Sequence, residues 1–123
     1  MKTKVISSAL LLIIGIAMGR AWAAQDAPKK GYIIAQVDVT NPQPYAEYAK
    51  LSPGIIAKFG GKFLARAGRT VTLEGTPARS RVVIVEYPSF EQAQAFFSSP
   101  EYQQAKKLRD GAANAQFIAV EGQ

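Results

Sequence analysis

Two carboxylates and one guanidinium are the residues of this sequence whose types could do chemistry together. Asp38, Arg66 and Glu86 each lie in a segment with strand-like alternation, and counting along these segments predicts that all three share one face of a sheet. An arginine between two carboxylates can hold the anionic group of a ligand, or orient a neighbouring acid for acid–base work. It can equally form a self-contained ion network, and both interpretations stay open.

Four further residues are candidates for a ligand pocket. Tyr32 could line the mouth of a cavity with its aromatic ring, or could simply be a rim residue at the start of the first strand, and Gln36 falls on the same strand face as Asp38. Tyr102 and Arg109 are weaker candidates. Tyr102 is expected to anchor a helix against the sheet, and a cation at the position of Arg109 complements the dipole at a helix C-terminus.

An alternation of strands and helices must position these residues. The last strand is predicted over Gln116–Glu121, and the predicted helix pair before it is capped by Ser89 and Ser99. The second strand is predicted over Lys62–Ala67, with a bulge at Gly68 and a continuation over Thr70–Glu74. The order β-α-β-β-α-β predicts an α+β, ferredoxin-like fold, with a four-stranded antiparallel sheet and the helices on one face.

The two faces of this sheet differ in composition. The face predicted to lie under the helices is purely apolar and consists of Ile33, Ala35, Val37, Val39, Phe63, Ala65, Val83, Val85, Ile118 and Val120. The opposite face mixes polar candidates with apolar residues, namely Ile34, Leu64, Val82, Ile84 and Phe117. Because nothing in the chain is left to cover that face, we expect two copies to stack sheet on sheet as a homodimeric α/β barrel.

The N-terminal residues read as an export signal. Lys2 and Lys4 precede an uncharged run of 14 residues from Val5 to Met18, and Ala21-Trp22-Ala23 suits a signal peptidase. The run is shorter than the roughly 20 residues that span a bilayer, so a cleaved signal peptide over 1–23 is favoured over a retained anchor. A flexible arm over 24–31, a domain over 32–122 and a periplasmic or secreted location follow, with no membrane association after cleavage.

Composition excludes several functional classes. The chain has no cysteine and no histidine, which removes disulfides, thiol nucleophiles, histidine-based triads and the commonest transition-metal sites. Only metals with oxygen ligands remain conceivable, and neither a metal nor a cofactor is expected. Without residues 1–23, which hold three basic residues and no acid, the formal charge falls from +6 to +3. The remaining cations form no stripe interleaved with aromatic residues, so nucleic acid is not an expected partner.

Several segments of the chain agree in order and spacing with a known family. The segments 60–68, 73–75, 81–89, 99–102 and 120–122 closely resemble the family catalogued as domain of unknown function 1330. The resemblance covers residues 32–122. It implies a ferredoxin-like fold that dimerises into an α/β barrel, and it implies no established catalytic role.

Three functions are compatible with these observations. The first is an exported homodimer that binds a small organic ligand between its two sheets, with Arg66, Asp38 and Glu86 supplying polarity. The second, implied by the wider group of dimeric α/β barrels, is a cofactor-independent oxygenase or isomerase that acts on a small aromatic substrate with a carboxylate as base. The third is a structural dimer without a ligand, in which the charged trio fixes the dimer register.

Overall fold

The computed structural model describes residues 28–123, which form an antiparallel four-stranded sheet covered on one side by three helices. The strands are β1 (Gly31–Val39), β2 (Lys62–Arg66), β3 (Arg81–Tyr87) and β4 (Ala113–Glu121). The helices are α1 (Pro42–Lys58), α2 (Phe90–Ser98) and α3 (Pro100–Arg109). The strand order β2-β3-β1-β4 confirms the predicted ferredoxin-like arrangement. The predicted signal peptide and residues 24–27 of the predicted arm lie outside the described residues.

Alternating burial along β1 distinguishes the two faces of the sheet. Ile33, Ala35 and Val37 are buried beneath the helices, whereas the side chains between them on the opposite face are half-buried. We call these the helix face and the open face. The core lies between the helix face and the helices, and its buried members are Ile33, Tyr48, Ile56, Val85, Tyr87, Ala93, Phe96 and Tyr102.

The two helices of the second crossover begin at serine caps, as predicted. The Ser89 hydroxyl accepts a hydrogen bond from the amide of Gln92 at 3.0 Å, and that of Ser99 accepts one from the amide of Tyr102 at 3.1 Å. Each such cap stabilises a helix start by about 1 kcal/mol. Ser99 has an extended backbone and ends α2 where α3 begins, so the caps decide where Tyr102 enters the core.

β2 is shorter than predicted, and its bulge lies elsewhere. Phe63 pairs with Val85 and Ala65 pairs with Ile84, so Leu64 is the extra residue of the bulge, not Gly68. The predicted continuation over 70–74 is also wrong, because residues 67–80 form a loop without a strand. These residues have β propensity but no strand beside them to pair with. We refer to this segment as the 67–80 loop.

The bulge at Leu64 reverses the alternation of β2. Beyond it, Ala65 lies opposite Ile84 of the open face, and Arg66 lies opposite Val83 of the helix face. The predictions that Ala65 faces the helices and that Arg66 faces away from them are therefore both wrong. A single inserted residue moves every later side chain of a strand to the other face.

β4 begins at Ala113, three residues before its predicted start, and the faces predicted for its side chains are wrong. Phe117 pairs with Ala35 on the helix face, whereas Ile118 pairs with Ile34 and Val120 with Tyr32 on the open face. Because β4 is apolar at consecutive positions, its own pattern does not determine its orientation. The pairing with β1 determines which side chains of β4 face the helices.

Candidate functional site

The predicted pocket residues Tyr32 and Glu86 lie opposite each other in the β1–β3 ladder. The Tyr32 hydroxyl donates a hydrogen bond to the Glu86 carboxylate at 3.2 Å, and the Lys62 ammonium lies 3.5 Å from the other carboxylate oxygen. Burial and the adjacent carboxylate raise the pKa of Tyr32, which keeps its proton on the phenol. These three side chains are engaged with one another on the open face.

Gln36 and Asp38 hold the end of the 67–80 loop against β1. The Asp38 carboxylate accepts hydrogen bonds from the Ser80 amide at 2.8 Å and the Ser80 hydroxyl at 3.0 Å, and it pairs with the Arg79 guanidinium at 3.3 Å. The Gln36 side-chain oxygen accepts from the Arg79 amide at 3.2 Å. The backbone amide of Ser80, followed by its hydroxyl, holds the pKa of Asp38 below its usual range. Both candidates therefore serve as loop anchors.

Arg66 is separated from these residues by the sheet. Its guanidinium lies over the Phe63 ring, 4.5 Å from the centroid, on the helix side. The prediction that Asp38, Arg66 and Glu86 form one cluster on a shared face is wrong, because the bulge at Leu64 turns Arg66 away from the two carboxylates.

Arg66 instead lines a cleft between α1 and the sheet, which we call the helix-side cleft. Its volume is about 50 Å³. Its polar lining residues are Tyr45, Tyr48, Ser52, Arg66 and Arg81. Its apolar lining residues are Ile33, Ala35, Val37, Ala49, Ile56, Phe63, Val83, Val85, Phe96 and Phe117. The cleft therefore combines an apolar wall with hydroxyl and guanidinium groups, which is typical of small-molecule sites.

Tyr102 and Arg109, the two weaker candidates, lie together behind one wall of this cleft. The Tyr102 hydroxyl lies 2.7 Å from the Tyr48 hydroxyl, and the Arg109 guanidinium donates to the Tyr102 oxygen at 3.3 Å. Arg109 is only 6% exposed and lies between the rings of Tyr48 and Phe117, at 5.3 and 4.5 Å from their centroids. As predicted, Tyr102 anchors α3 in the core and Arg109 is a cation at the end of that helix, and together with Tyr48 they also form one buried polar cluster.

The charged side chains in and behind the helix-side cleft are all cationic. Burial, together with Tyr102, raises the pKa of Tyr48, so its hydroxyl stays protonated. Burial opposes the charge of Arg109, but the Tyr102 and Tyr48 hydroxyls outweigh that effect and raise its pKa. No carboxylate lines the helix-side cleft. Within residues 28–123, neither Arg81 nor Arg109 forms an ion pair, and the Nε atom of each is buried without a hydrogen-bond partner.

Sequence reasoning missed Arg81, Tyr45, Tyr48 and Ser52 as members of a candidate site. A usable signal was present for Arg81, since it shares the strand parity of Val83 and Val85 and therefore points towards the helices. Tyr45 and Tyr48 are three residues apart on one face of α1, a spacing that by itself is typical of residues packed against a sheet. Tyr48 does pack in the core, and its hydroxyl also bonds to Tyr102.

Comparison with known families identifies the domain. The sequence model described as "Domain of unknown function (DUF1330)" matches residues 30–123. The chain belongs to the DUF1330 family. This confirms the resemblance noted from the sequence. No curated protein matches the DUF1330 chain.

Solved structures resemble the DUF1330 domain in fold. A protein of unknown function from Rhodopseudomonas palustris is 22% identical with a TM-score of 0.62, and the match covers 87% of this chain and 92% of that one. The methylated form of that protein also has 22% identity and a TM-score of 0.62, with coverage of 87% and 90%. SnoaB, a cofactor-independent oxygenase from Streptomyces nogalater, is 13% identical with a TM-score of 0.50, covering 77% of this chain and 94% of its own. At these identities the similarity establishes the fold alone. Among residues 28–123, no helix is both long and apolar enough to span a membrane.

Proposed function

We propose that this DUF1330 protein binds a small organic ligand in the helix-side cleft. The observation that carries the proposal is the partly open cleft between α1 and the sheet, in which the side chains of Arg81 and Tyr48 meet an apolar wall. This site differs from the inter-sheet cavity expected from the sequence. The open-face candidates are less suited to a ligand, because Tyr32 bonds to Glu86 and Asp38 bonds to Ser80.

The size of the cleft restricts the ligand. Its volume of about 50 Å³ is a third of the roughly 150 Å³ of an engineered cavity that binds benzene. A group of a few non-hydrogen atoms fits this space, whereas an aromatic ring requires α1 to move away from the sheet. Binding of a small ligand is thus favoured over oxygenation of an aromatic substrate.

The oxygenase alternative is supported by likeness in fold to SnoaB. The helix-side cleft, however, holds no carboxylate that could act as the base, since those of Asp38 and Glu86 belong to the open face. Turnover of an aromatic substrate with dioxygen, measured as oxygen uptake by the purified protein, would favour this alternative over simple binding.

We also propose that two copies associate through their open faces. Ile118 and Val120 are 48% and 43% exposed there, and Leu64 of the bulge is 52% exposed. The 67–80 loop, which is anchored to the same face through Asp38, adds two more exposed apolar residues, Val71 and Leu73. A second copy is the favoured occupant, because a twofold axis brings the same apolar surface from both subunits together.

A pair of variants tests this association. Ile118→Glu places a charge on the open face, midway along the edge strand β4, and is expected to yield monomers in sedimentation velocity. Leu51→Glu is the matched control, because Leu51 is 51% exposed on α1, away from the open face, and this variant is expected to stay dimeric. A wild-type monomer, or a dimer that Ile118→Glu leaves intact, would contradict the proposed interface.

Export is the third part of the proposal, and the leader-like residues 1–23 support it. Native mass spectrometry of the protein purified from the periplasm of an expressing cell tests all three parts in one measurement. The expected result is a dimer that begins at Ala24 and carries the mass of a small molecule. A chain retained in the cytoplasm with Met1 would contradict export, and ligand-free dimers under gentle ionisation would count against a tightly bound ligand.

A further inference from the structure

We infer that the ligand of the helix-side cleft is a small carboxylate, whose oxygens accept hydrogen bonds from the Arg81 guanidinium and the Tyr48 hydroxyl. The inference rests on the proposed function and adds the chemical class of the ligand. The cleft supplies two guanidinium groups, those of Arg66 and Arg81, and no acidic side chain. A cation in a partly dry pocket is stabilised by a paired anion, and a carboxylate matches the planar guanidinium.

Arg81 is the residue best placed to hold the anion. It begins β3 on the helix face, opposite Val37, and its guanidinium lies 5.8 Å from the centroid of the Tyr45 ring. Its Nε atom is buried without a hydrogen-bond partner among the described residues, and none of their carboxylates lies within ion-pair distance of the side chain. Arg66, by contrast, is exposed and already stacks on Phe63, so it belongs to the mouth of the cleft.

The cluster behind the cleft prepares Tyr48 as a neutral donor. A guanidinium can only donate, so the Tyr102 oxygen accepts from Arg109. Either hydroxyl can donate across the 2.7 Å between the Tyr48 and Tyr102 oxygens. We assign the donor role to Tyr102, because hydrogen bonds that run in one direction strengthen one another. With this assignment, the Tyr48 proton has no acceptor among the described residues and is available to a ligand oxygen. Tyr102 and Arg109 are thus positioning residues.

A titration with acetate, with acetamide as its uncharged counterpart, tests the inference. The readout is the set of ¹H–¹⁵N chemical shifts of the full mature protein, with sodium chloride as the ionic-strength control. Acetate is expected to shift the amide signals of residues lining the cleft and to bind at least tenfold more tightly than acetamide, since the difference is a charge-assisted hydrogen bond. Equal binding of the two probes would overturn the carboxylate assignment and leave ligand binding intact. If neither acetate nor acetamide binds, both the carboxylate assignment and the proposed ligand binding are overturned.

Variants assign the roles of the individual side chains. Arg81→Met removes the guanidinium but keeps most of the side-chain length. It is expected to weaken the binding of acetate at least tenfold and to leave the binding of acetamide unchanged. Arg69→Met, outside the cleft, is the control and is expected to change the binding of neither probe. Tyr48→Phe is expected to lower the affinity for acetate about fivefold. An Arg81→Met variant that binds acetate as the wild type does would overturn the assignment.

The positioning role of Tyr102 has a separate signature. Tyr102→Phe is expected to lower the affinity for acetate in the wild-type background but not in the Tyr48→Phe background, because its effect passes through the Tyr48 hydroxyl. A purely structural role would weaken acetate equally in both backgrounds, and that result would overturn the relay.

Discussion

The hydroxyl groups of Tyr48 and Tyr102 lie 2.7 Å apart and join α1 to α3 across the core of the protein. Tyr102 is fully buried, and its oxygen also accepts the hydrogen bond of Arg109. One phenol therefore links two helices and partners a cation that has no ion pair among the described residues.

Tyr102→Phe is expected to lower the free energy of unfolding by about 1–3 kcal/mol, because it removes one neutral hydrogen bond and leaves the Arg109 guanidinium without its partner. Tyr45→Phe is the matched control. The Tyr45 hydroxyl has no hydrogen bond to any described residue, so a change below about 0.5 kcal/mol is expected. Urea denaturation of both variants measures the difference, and equal effects would contradict a stabilising role for the hydroxyl pair.

Asp38→Asn is expected to release the C-terminal end of the 67–80 loop. The neutral amide is a weaker acceptor than the carboxylate for the Ser80 amide, and it cannot form the ion pair with Arg79. Hydrogen exchange at the Ser80 amide should become faster, and proteolysis within the loop should increase. Asp110→Asn serves as the control, since Asp110 pairs with Lys106 on α3, and it should leave the loop unchanged. Unaltered protection of Ser80 in Asp38→Asn would refute the anchor.

Acid is expected to have the same effect on the loop. The Ser80 amide, then its hydroxyl, and Arg79 hold the pKa of Asp38 below its usual range in the folded protein. A carboxyl group with a depressed folded pKa stabilises the structure fully above its unfolded value of about 3.9, and this stabilisation is lost as the pH falls through the folded pKa. NMR titration of the Asp38 carboxyl carbon, followed together with the Ser80 amide, measures both events. Titration of Asp38 at or above pH 3.9 would contradict the arrangement.

Phe117 and Ile118 are neighbours on β4 that should respond oppositely to truncation. Phe117 packs against Phe97, with 5.8 Å between the two ring centroids. The Arg109 guanidinium lies over the Phe117 ring, 4.5 Å from its centroid. Phe117→Ala should therefore lower the free energy of unfolding by about 2–4 kcal/mol. Ile118→Ala, on the open face, should cost under about 1 kcal/mol in the monomer. The reverse ranking in urea denaturation of the monomer would contradict the observed register.

Gly31 and Gly54 form a second matched pair. A Cβ atom at Gly31 would overlap the Ser89 carbonyl oxygen and would lie 2.5 Å from the Phe90 Cα atom, both parts of the backbone. Gly31→Ala should lower the free energy of unfolding by about 1–3 kcal/mol, since β1 and the start of α2 must move apart. Gly54 lies inside α1, and apart from its two chain neighbours and the adjacent backbone of its own helix, no described atom lies within 4 Å of such a Cβ. Gly54→Ala should raise the free energy by about 0.5–1 kcal/mol, through helix propensity. Thermal and urea unfolding of both variants check the two signs.

Local signals in the sequence sufficed for the order of elements and for much of the fold. Side-chain alternation identified the segments that hold Asp38 and Glu86 as strands, and Ser89 and Ser99 placed two helix starts, because caps and side-chain alternation depend on residues close in the chain. The family resemblance came from the same kind of local agreement. The candidates Tyr102 and Arg109 were found, but not the reason that they belong together, since the hydrogen bond between them depends on how α3 enters the core.

The tertiary structure alone decided which side chains meet. One extra residue in β2 turned Arg66 to the helix face, and pairing with β1 turned Phe117 inward and Ile118 outward. Neither is visible locally, because a bulge is specified by the partner strand and β4 is apolar at consecutive positions. The predicted group of Asp38, Arg66 and Glu86 was divided for this reason. The helix-side cleft, with Arg81 and Tyr48 in its lining, exists only because α1 and the sheet are packed together.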